Sequence, residues 1–340
     1  MRILVTGGAG YVGSVSVERL LEAGHEVVVL DDLSTGHRAA ADGATLVAGS
    51  YGDPPTIATV LEQHRIEAIL HCAARSLVAE SIADPAKYYR DNVAGGIALL
   101  EAIRAARIRR LVFSSTAAVY GEPTATPISE EAPLDPINPY GETKRAFERA
   151  LHWYGAAYGL RSVALRYFNV AGASLRNGEQ HDPETHLIPS ILGAVEADRP
   201  LTVFGTDYPN SDGTNVRDYI HVEDLADAHL AALEATDPDD PRTADPDAPG
   251  DPARGRATTI NLGSAAGFSV REVIAAAERV VGRPIPTEAG PRRPGDPPIL
   301  VASNERARTV LGWTPRRGSL EEMIGSASAW RRAHPGGYGS

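Results

Sequence analysis

The chain has 340 residues, of which 43% are hydrophobic and 23% charged, as in ordinary globular proteins. Its net charge of −11 argues against general binding of nucleic acid, and no apolar stretch reaches the length that crosses a membrane. The single cysteine, Cys72, excludes an intrachain disulfide and a cysteine-based metal site. We therefore expect a cytoplasmic protein with no metal, no nucleic-acid partner and no membrane segment.

A glycine-rich turn follows the first predicted strand. Residues 2–6 (RILVT) form a short apolar run with β-branched side chains, which is typical of a buried strand. Residues 7–13 (GGAGYVG) come next, and a helical pattern of apolar residues then begins. Gly8, Gly10 and Gly13 form Gly-x-Gly-x-x-Gly between a strand and a helix, where glycine lets the backbone approach a pyrophosphate at the helix N-terminus. This turn predicts a dinucleotide site.

An acidic pair ends the second predicted strand, residues 26–30. Asp31 lies 18 residues beyond Gly13, where a carboxylate can bind the adenosine ribose hydroxyls. A 2′-phosphate at this position would meet a like charge, so Asp31 favours NAD over NADP.

Strands alternate with helices through the rest of the first half. Further strands are predicted at residues 45–48, 66–71, 110–114 and 162–166, and helices at residues 86–106 and 142–158. This alternation predicts an α/β fold with a doubly wound parallel (Rossmann) sheet and a smaller C-terminal α/β lobe for the substrate. We expect an NAD-binding domain at residues 1–170 and mainly the substrate lobe at residues 171–340, with segments near 215–235 returning to the larger domain.

Tyr140 and Lys144 lie four residues apart and therefore on one face of the predicted helix. A tyrosine with a pKa of about 10 is a poor base at neutral pH. A neighbouring ammonium favours the phenolate and lowers the pKa, so the pair predicts a general acid/base for a sugar or alcohol hydroxyl.

The second half is richer in proline and glycine. A strand is predicted at residues 258–263 and a helix at residues 270–281. Residues 236–256 contain almost no apolar side chains, which is typical of a solvated insertion rather than a domain linker.

Several motifs together resemble those of the extended short-chain dehydrogenase/reductases, and within them the UDP-glucose 4-epimerases. The resemblance runs from Arg2 to about Trp330. Its motifs are residues 7–13, 114–121 (SSTAAVYG), 138–144 (NPYGETK), 165–173 (LRYFNVAGA), 212–222 (DGTNVRDYIHV) and 292–296 (RRPGD), with Asn92.

The resemblance implies inversion at C4 of a UDP-hexose through a 4-keto intermediate. Tyr140 would exchange the proton of the 4-hydroxyl, Thr116 would align that hydroxyl, and Lys144 would bind the nicotinamide ribose. NAD would accept hydride from C4 and return it to the other face of the sugar.

The resemblance also assigns a binding role to each matching position. The implied cofactor-binding residues are Gly7, Gly10, Tyr11, Val12, Gly13, Asp31, Asp32, Ser50, Tyr51, Arg75, Asn92, Ser114, Tyr140, Lys144, Tyr167 and Phe168. The implied substrate-binding residues are Thr116, Tyr140, Asn169, His186, Leu187, Arg217, Arg293, Asp296 and Leu300. Arginine suits a pyrophosphate because its planar fork donates two charge-assisted hydrogen bonds, although Arg217 and Arg293 each have an acidic residue nearby in sequence.

Three positions depart from the family pattern. Ser50 stands where the family often has an aspartate beside the adenine, and Arg75 stands near a family lysine that contacts the cofactor phosphate. The insertion at residues 237–254 has no family counterpart.

Other activities stay open to different degrees. A 4,6-dehydratase would carry an Asp-Glu pair after the active-site threonine, whereas Ala117 and Ala118 follow Thr116 here. A 4-epimerase of a UDP-pentose or of a UDP-N-acetylhexosamine remains an alternative, and a non-catalytic NAD-binding scaffold is a more distant one.

The resemblance implies two finer properties. The helices at residues 86–106 and 142–158 would pair across a two-fold axis into a homodimer. Leu300 occupies a position where some relatives limited to plain hexoses carry tyrosine, so the smaller side chain predicts room for a 2-acetamido group unless Leu300 packs in the core.

Overall fold

The computed structural model describes residues 1–237, 257–293 and 296–339, so most of the predicted insertion at 236–256 lies outside the described residues. The strands are β1 (Arg2–Thr6), β2 (Glu26–Asp31), β3 (Thr45–Ala48), β4 (Ala68–His71), β5 (Arg110–Thr116), β6 (Arg161–Tyr167), β7 (Asn169–Ala171), β8 (Leu201–Phe204), β9 (Val216–His221), β10 (Ala257–Leu262), β11 (Gly267–Ser269), β12 (Thr287–Gly290) and β13 (Ile299–Leu300). The α-helices are α1 (Tyr11–Glu22), α2 (Pro54–Gln63), α3 (Val78–Ala83), α4 (Pro85–Tyr88), α5 (Gly95–Ala105), α6 (Pro139–Tyr158), α7 (Leu187–Glu196), α8 (Val222–Ala235), α9 (Val270–Val281), α10 (Glu305–Leu311) and α11 (Leu320–Ala333).

Seven parallel strands form the large sheet in the order β3-β2-β1-β4-β5-β6-β10. Its strands are almost continuously apolar because helices cover both faces. Helices α1, α8 and α10 pack on one face, and α2, α5 and α6 pack on the other. The predicted Rossmann sheet is confirmed, and its carboxyl ends all lie along one edge.

The second half of the chain contributes to both parts of the molecule. Strand β10, predicted within the smaller lobe, pairs with β6 at the end of the large sheet. Of the segment near 215–235, helix α8 packs on the large sheet, whereas β9 belongs to the smaller lobe.

The smaller lobe is built around β9, which lies between β11 and β13 and pairs with β7 through its last residues. Strands β8 and β12 form a separate parallel pair. Helices α7, α9 and α11 bury their apolar faces in a core of their own. Among the described residues, we find no helix that combines the length and the apolar character needed to cross a membrane.

The predicted helix at residues 86–106 is interrupted. Helix α4 runs into a π-helical segment, Tyr89–Ala94, before α5 begins at Gly95. Such wide turns are rare and often occur at functional sites. Here the wide turn contains Asn92, whose side chain is buried.

Candidate active site

A cavity of about 1510 Å³ opens at the carboxyl ends of the large sheet, between the sheet and the smaller lobe. The predicted site residues that line it are Gly7, Gly10, Tyr11, Val12, Gly13, Asp31, Asp32, Ser50, Tyr51, Arg75, Thr116, Tyr140, Lys144, Tyr167, Phe168, Asn169, His186, Arg293, Asp296 and Leu300. The predicted site residues that do not line it are Asn92, Ser114, Leu187 and Arg217.

The glycine-rich turn is packed too tightly for side chains. Gly7 has a φ of +72°, and a Cβ on it would lie 2.5 Å from the backbone nitrogen of Ala73. A Cβ on Gly13 would overlap the carbonyl oxygen of Gly7. The turn therefore keeps its backbone against the cavity at the start of α1, as a site for a pyrophosphate requires. These residues fit an NAD molecule.

Asp31 binds the glycine-rich turn as well as lining the cavity. Its Oδ2 atom accepts a hydrogen bond of 3.0 Å from the backbone N–H of Ala9, and Oδ1 accepts one of 2.8 Å from Leu33. Burial raises the pKa of the carboxyl group, and these two hydrogen bonds oppose that rise. Asp31 thus holds the turn in place and presents a carboxylate where the ribose is expected.

Arg75 lines the cavity but is already engaged by acidic side chains. Its Nε atom lies 3.1 Å from Asp91 and its Nη2 atom 3.6 Å from Asp32. Its Nη1 atom donates to Ser34 at 3.0 Å. The positive charge expected for the cofactor phosphate is therefore partly neutralised by these neighbours.

Two further predicted positions lie in the same wall. The hydroxyl of Ser50 accepts a hydrogen bond from the backbone of Gly52 at 3.1 Å. The hydroxyl of Tyr51 donates to the carbonyl of Asp91 at 2.7 Å, and burial raises the pKa of Tyr51. The hydroxyl groups of both side chains are thus held by hydrogen bonds to the backbone.

Tyr140 and Thr116 meet at the centre of the cavity. Thr116 ends β5, and its Oγ1 atom accepts a hydrogen bond of 3.1 Å from the backbone of Ala118. Burial raises the pKa of Tyr140 to about 12, and a hydrogen bond with Thr116 lowers it only in part. The lowered pKa expected from the neighbouring ammonium stays a prediction for the site with its cofactor bound.

Lys144 is buried one helical turn beyond Tyr140. Its Nζ atom donates a hydrogen bond of 2.7 Å to the carbonyl of Ser114 and lies 5.9 Å from the centre of the Tyr140 ring. Burial lowers the pKa of Lys144 to about 8, although Cys72 and Glu148 oppose the change. The ammonium is therefore close to losing its proton near neutral pH.

A close contact sets the distance between α6 and the loop after Thr116. Asn138 caps α6 by accepting a hydrogen bond of 2.9 Å from the backbone of Gly141. A Cβ at Gly141 would lie 2.5 Å from the carbonyl oxygen of Ala118. Glycine at this position thus brings the helix bearing Tyr140 up against Thr116.

Asn92 and Ser114 do not line the cavity, and their role as cofactor contacts stays a prediction. The Oδ1 atom of Asn92 accepts from the backbone of Arg75 at 2.8 Å, and Nδ2 donates to its carbonyl at 3.0 Å and to Thr143 at 3.1 Å. Ser114 is fully buried and holds Lys144 through its carbonyl oxygen. Asn92 thus holds the backbone of Arg75, and Ser114 holds the side chain of Lys144.

Cys72 borders the cavity beside Ser114. Its Sγ atom accepts a hydrogen bond of 3.2 Å from the Ser114 hydroxyl. Burial raises the pKa of the thiol to about 11.

The smaller lobe supplies the opposite wall of the cavity. The two predicted arginines of this lobe differ in their position relative to the cavity. Arg293 lines the cavity, with its guanidinium 4.4 Å from the centre of the Phe204 ring. Arg217 is buried and ion-paired with Asp296, and it donates to the carbonyl of Pro297 at 2.6 Å. Arg217 does not line the cavity in this conformation, in which its guanidinium pairs with Asp296, and its role as a substrate contact stays a prediction.

Asn169 and Leu300 complete the predicted part of this wall. Asn169 begins β7, shortly after strand β6 of the large sheet ends at Tyr167. Leu300 lines the cavity and also packs against a small core that includes Phe168. Leu187 begins α7 and packs against the core of the smaller lobe, and its role as a substrate contact stays a prediction.

His186 belongs to a group of four side chains between β7 and α7. This loop cluster consists of Glu179, His181, Glu184 and His186. The Nδ1 atom of His186 lies 2.7 Å from Glu179 and 3.3 Å from Glu184. Burial lowers the pKa values of the imidazoles, but the two carboxylates outweigh it and raise them to about 9 for His181 and about 10 for His186.

The sequence model of the NAD-dependent epimerase/dehydratase family matches residues 3–244. The chain belongs to this family. A UDP-glucose 4-epimerase of Lacticaseibacillus casei is 49% identical over 100% of this chain and 99% of its own length.

Solved structures of the family agree in fold. UDP-glucose 4-epimerase from Brucella ovis in complex with NAD has a TM-score of 0.88 and 42% identity, covering 96% of this chain and 97% of its own. UDP-glucose 4-epimerase from Thermotoga maritima with UDP-glucose has a TM-score of 0.84 and 30% identity, covering 98% of this chain and 100% of its own. The predicted family, NAD as the cofactor and UDP-glucose 4-epimerase activity are confirmed.

Sequence reasoning missed a buried ion pair that supports this family's catalytic helix. Arg166 donates two hydrogen bonds to Glu148 on α6, at 2.9 and 2.6 Å, and Ser115 donates a third at 2.5 Å. The only available signal was Arg166 within a predicted buried strand, where a charged residue needs a partner. The loop cluster was also missed, although its spacing Glu-x-His-x-x-Glu-x-His is visible in the sequence.

Proposed function

We propose that Tyr140, Thr116 and Lys144 carry out the proton transfers that invert C4 of a UDP-hexose. The observation that carries this proposal is the meeting of Tyr140 and Thr116 in the wall of a cavity whose other end is the glycine-rich turn. The glycine-rich turn and Asp31 would hold NAD, which would supply hydride transfer to and from C4 of the sugar. The residues of the chain orient the sugar and move its proton.

Thr116 aligns the 4-hydroxyl with Tyr140. Its oxygen already accepts a hydrogen bond from Ala118, so its hydroxyl proton is available for donation. Tyr140 accepts the 4-hydroxyl proton, holds it during the life of the 4-keto sugar and returns it at the end. This role requires a lower pKa than the chain alone provides, and a bound positive charge would supply the difference.

Lys144 orients the cofactor rather than serving as the base. Its ammonium is held 5.9 Å from the Tyr140 ring by the carbonyl of Ser114, which leaves its remaining protons for a ribose hydroxyl. Asp31 binds the other ribose and favours NAD over NADP.

The uridine diphosphate lies against the smaller lobe in this proposal. Arg293, His186 and Asn169 line that wall and offer charge and hydrogen-bond donors. Arg217 contributes only if its ion pair with Asp296 opens when the substrate binds. A 4-epimerase of another nucleotide sugar, such as a UDP-pentose, would use the same residues and remains the alternative.

A homodimer belongs to the same proposal. Trp153 and Tyr158 on α6 are 59% and 52% exposed, and Tyr89 beside α5 is 45% exposed. Large exposed aromatic side chains often mark a protein interface, and a two-fold axis would pair these helices with their copies. A monomer mass in light scattering at micromolar concentration would contradict this. We also propose that the protein is cytoplasmic. A reducing compartment suits a chain whose single cysteine cannot form an intrachain disulfide.

The test of the proposal is conversion of UDP-galactose to UDP-glucose by the purified protein and by Tyr140→Phe. We expect the variant to keep its fold and bound NAD but to lose turnover by about a thousandfold or more, the upper range of general acid–base catalysis. Tyr158→Phe is the matched control because it removes an exposed hydroxyl from the same helix. Near-normal turnover of Tyr140→Phe would overturn the proposed role.

A further inference from the structure

The loop cluster brings two imidazoles and two carboxylates together at the edge of the cavity. One ligand atom from each of its four residues lies within 4.8 Å of all the others. Both histidines direct the same ring atom, Nδ1, toward the same two carboxylates. Four side chains that converge in this way form a pocket of two nitrogen and two oxygen ligands.

Two features of the cluster favour a bound cation. Glu179 is buried, and its carboxylate needs a compensating positive charge, which either two protonated imidazoles or one metal ion would supply. The buried Nδ1 atom of His181 lies 3.2 Å from Glu179 without forming a well-aligned hydrogen bond. Once this nitrogen loses its proton, its lone pair can bind a metal ion.

The local backbone holds the cluster in shape. Glu184 accepts hydrogen bonds of 2.8 Å from the backbone N–H groups of both Thr185 and His186, which orients its carboxylate. His186 is the N-cap residue of α7, so its position is set by the helix. The ligands are therefore arranged by the fold and not only by their attraction for one another.

We propose that the loop cluster binds one divalent transition-metal ion of the zinc type. Zinc takes histidine nitrogen and carboxylate oxygen at about 2.0–2.2 Å in a tetrahedron, which places its ligands roughly 3.3–3.5 Å apart. The histidine–carboxylate separations of 2.7, 3.2, 3.3 and 3.8 Å bracket that spacing, and all four ligand atoms lie within 4.8 Å of one another, so shifts of about an ångström would complete the tetrahedron. The ion would displace a proton from each imidazole, and the two carboxylates would then balance its charge.

The chemistry of the ligands selects the ion. Two imidazoles suit zinc, cobalt, nickel and copper, whereas magnesium and calcium prefer oxygen ligands throughout. The bound ion would join residue 179 to residue 186 and fix the loop between β7 and α7. Because the histidines bind through Nδ1, the Nε2 atom of His186 stays free to face the cavity.

The direct test is calorimetric titration of zinc into untagged, NAD-loaded protein that has been treated with a chelator. We expect one equivalent to bind with a dissociation constant of about a micromolar or tighter, and excess zinc to raise the unfolding temperature by a few degrees. Magnesium and calcium should neither bind nor compete. Cobalt should give the visible absorption bands of a four-coordinate site, which surface binding does not produce.

His181→Ala combined with Glu184→Gln should lose the stoichiometric site and the cobalt spectrum. The matched control is His64→Ala combined with Glu62→Gln, which removes the same residue types from the end of α2 and should leave the site intact. Retention of NAD and an unchanged circular dichroism spectrum show that each variant folds. Absence of one-equivalent binding by the parent, or equal binding by parent and cluster variant, would overturn the proposal.

Discussion

The two walls of the cavity are built in different ways. The wall from the large sheet presents backbone and short-range contacts: the glycine-rich turn, Asp31 bound to Ala9, and Tyr140 with Lys144 on one helix. The wall from the smaller lobe presents side chains held by distant partners, as Asp296 is held by Arg217, 79 residues away. Function in the first wall follows from local sequence, whereas in the second it depends on which ion pairs form.

This difference predicts that a substitution in the wall from the large sheet alters cofactor binding, whereas a substitution in the wall from the smaller lobe alters sugar binding. Lys144, in the wall from the large sheet, has the largest expected effect. Burial holds its folded-state pKa at about 8, below the unfolded value of 10.5. The unfolded chain therefore binds a proton that the folded chain lacks between these values, and stability must rise with pH across that window.

We expect Lys144→Met to remove this rise. In protein freed of NAD, the parent should gain about 3 kcal/mol of unfolding free energy relative to the variant between pH 7.5 and 10.5. The difference between the two proteins isolates Lys144 because all other titrating groups are common to both. Urea unfolding at several pH values measures it, and parallel pH curves would show that Lys144 is not buried as a charge.

Asp31→Ala should affect the cofactor wall alone. Loss of a charged hydrogen-bond acceptor at the ribose should weaken NAD binding by about tenfold to a hundredfold and should admit NADP. Asp42→Ala is the control, since that side chain is exposed and does not line the cavity. With saturating NAD, the KM for the UDP-sugar should not change. A change in that KM, or unaltered NAD preference, would break the separation of the two walls.

Leu300→Tyr should affect the sugar wall alone and is the smallest effect. We expect the parent to interconvert the UDP-N-acetylhexosamines, and the larger side chain to reduce that activity about tenfold while glucose–galactose conversion stays within a few fold. Leu300→Met, which conserves volume, should change neither activity. A parent without N-acetyl activity would show that another residue closes the pocket.

The sequence predicted those features that depend on neighbours in the chain. Glycine is needed at Gly7 and Gly13 because the turn packs too closely for side chains. The placement of Tyr140 and Lys144 on one helix face follows from their spacing of four residues. The parallel sheet followed from the alternation of strands and helices. For the same reason Asp31 was predicted in the cavity, where the structure places it.

The features that sequence reasoning missed depend on contacts between distant segments. Asn92 lies in a π-helical turn and accepts a hydrogen bond from the backbone of Arg75, a contact that the sequence did not predict. The raised pKa of Tyr140 comes from burial, which spacing does not reveal. Arg217 could be assigned either to a phosphate or to an acidic side chain, and only the path of the chain near Asp296 decides between them.

Cys72 gives the protein a natural chemical reporter. It is the one cysteine in the chain, and it borders the cavity beside the carboxyl end of the central strands. With a thiol pKa of about 11, roughly one molecule in ten thousand carries the reactive thiolate at pH 7. Alkylating reagents should therefore modify the protein slowly, and the rate should respond to whatever occupies the cavity, so that occupancy becomes measurable by mass spectrometry without any label.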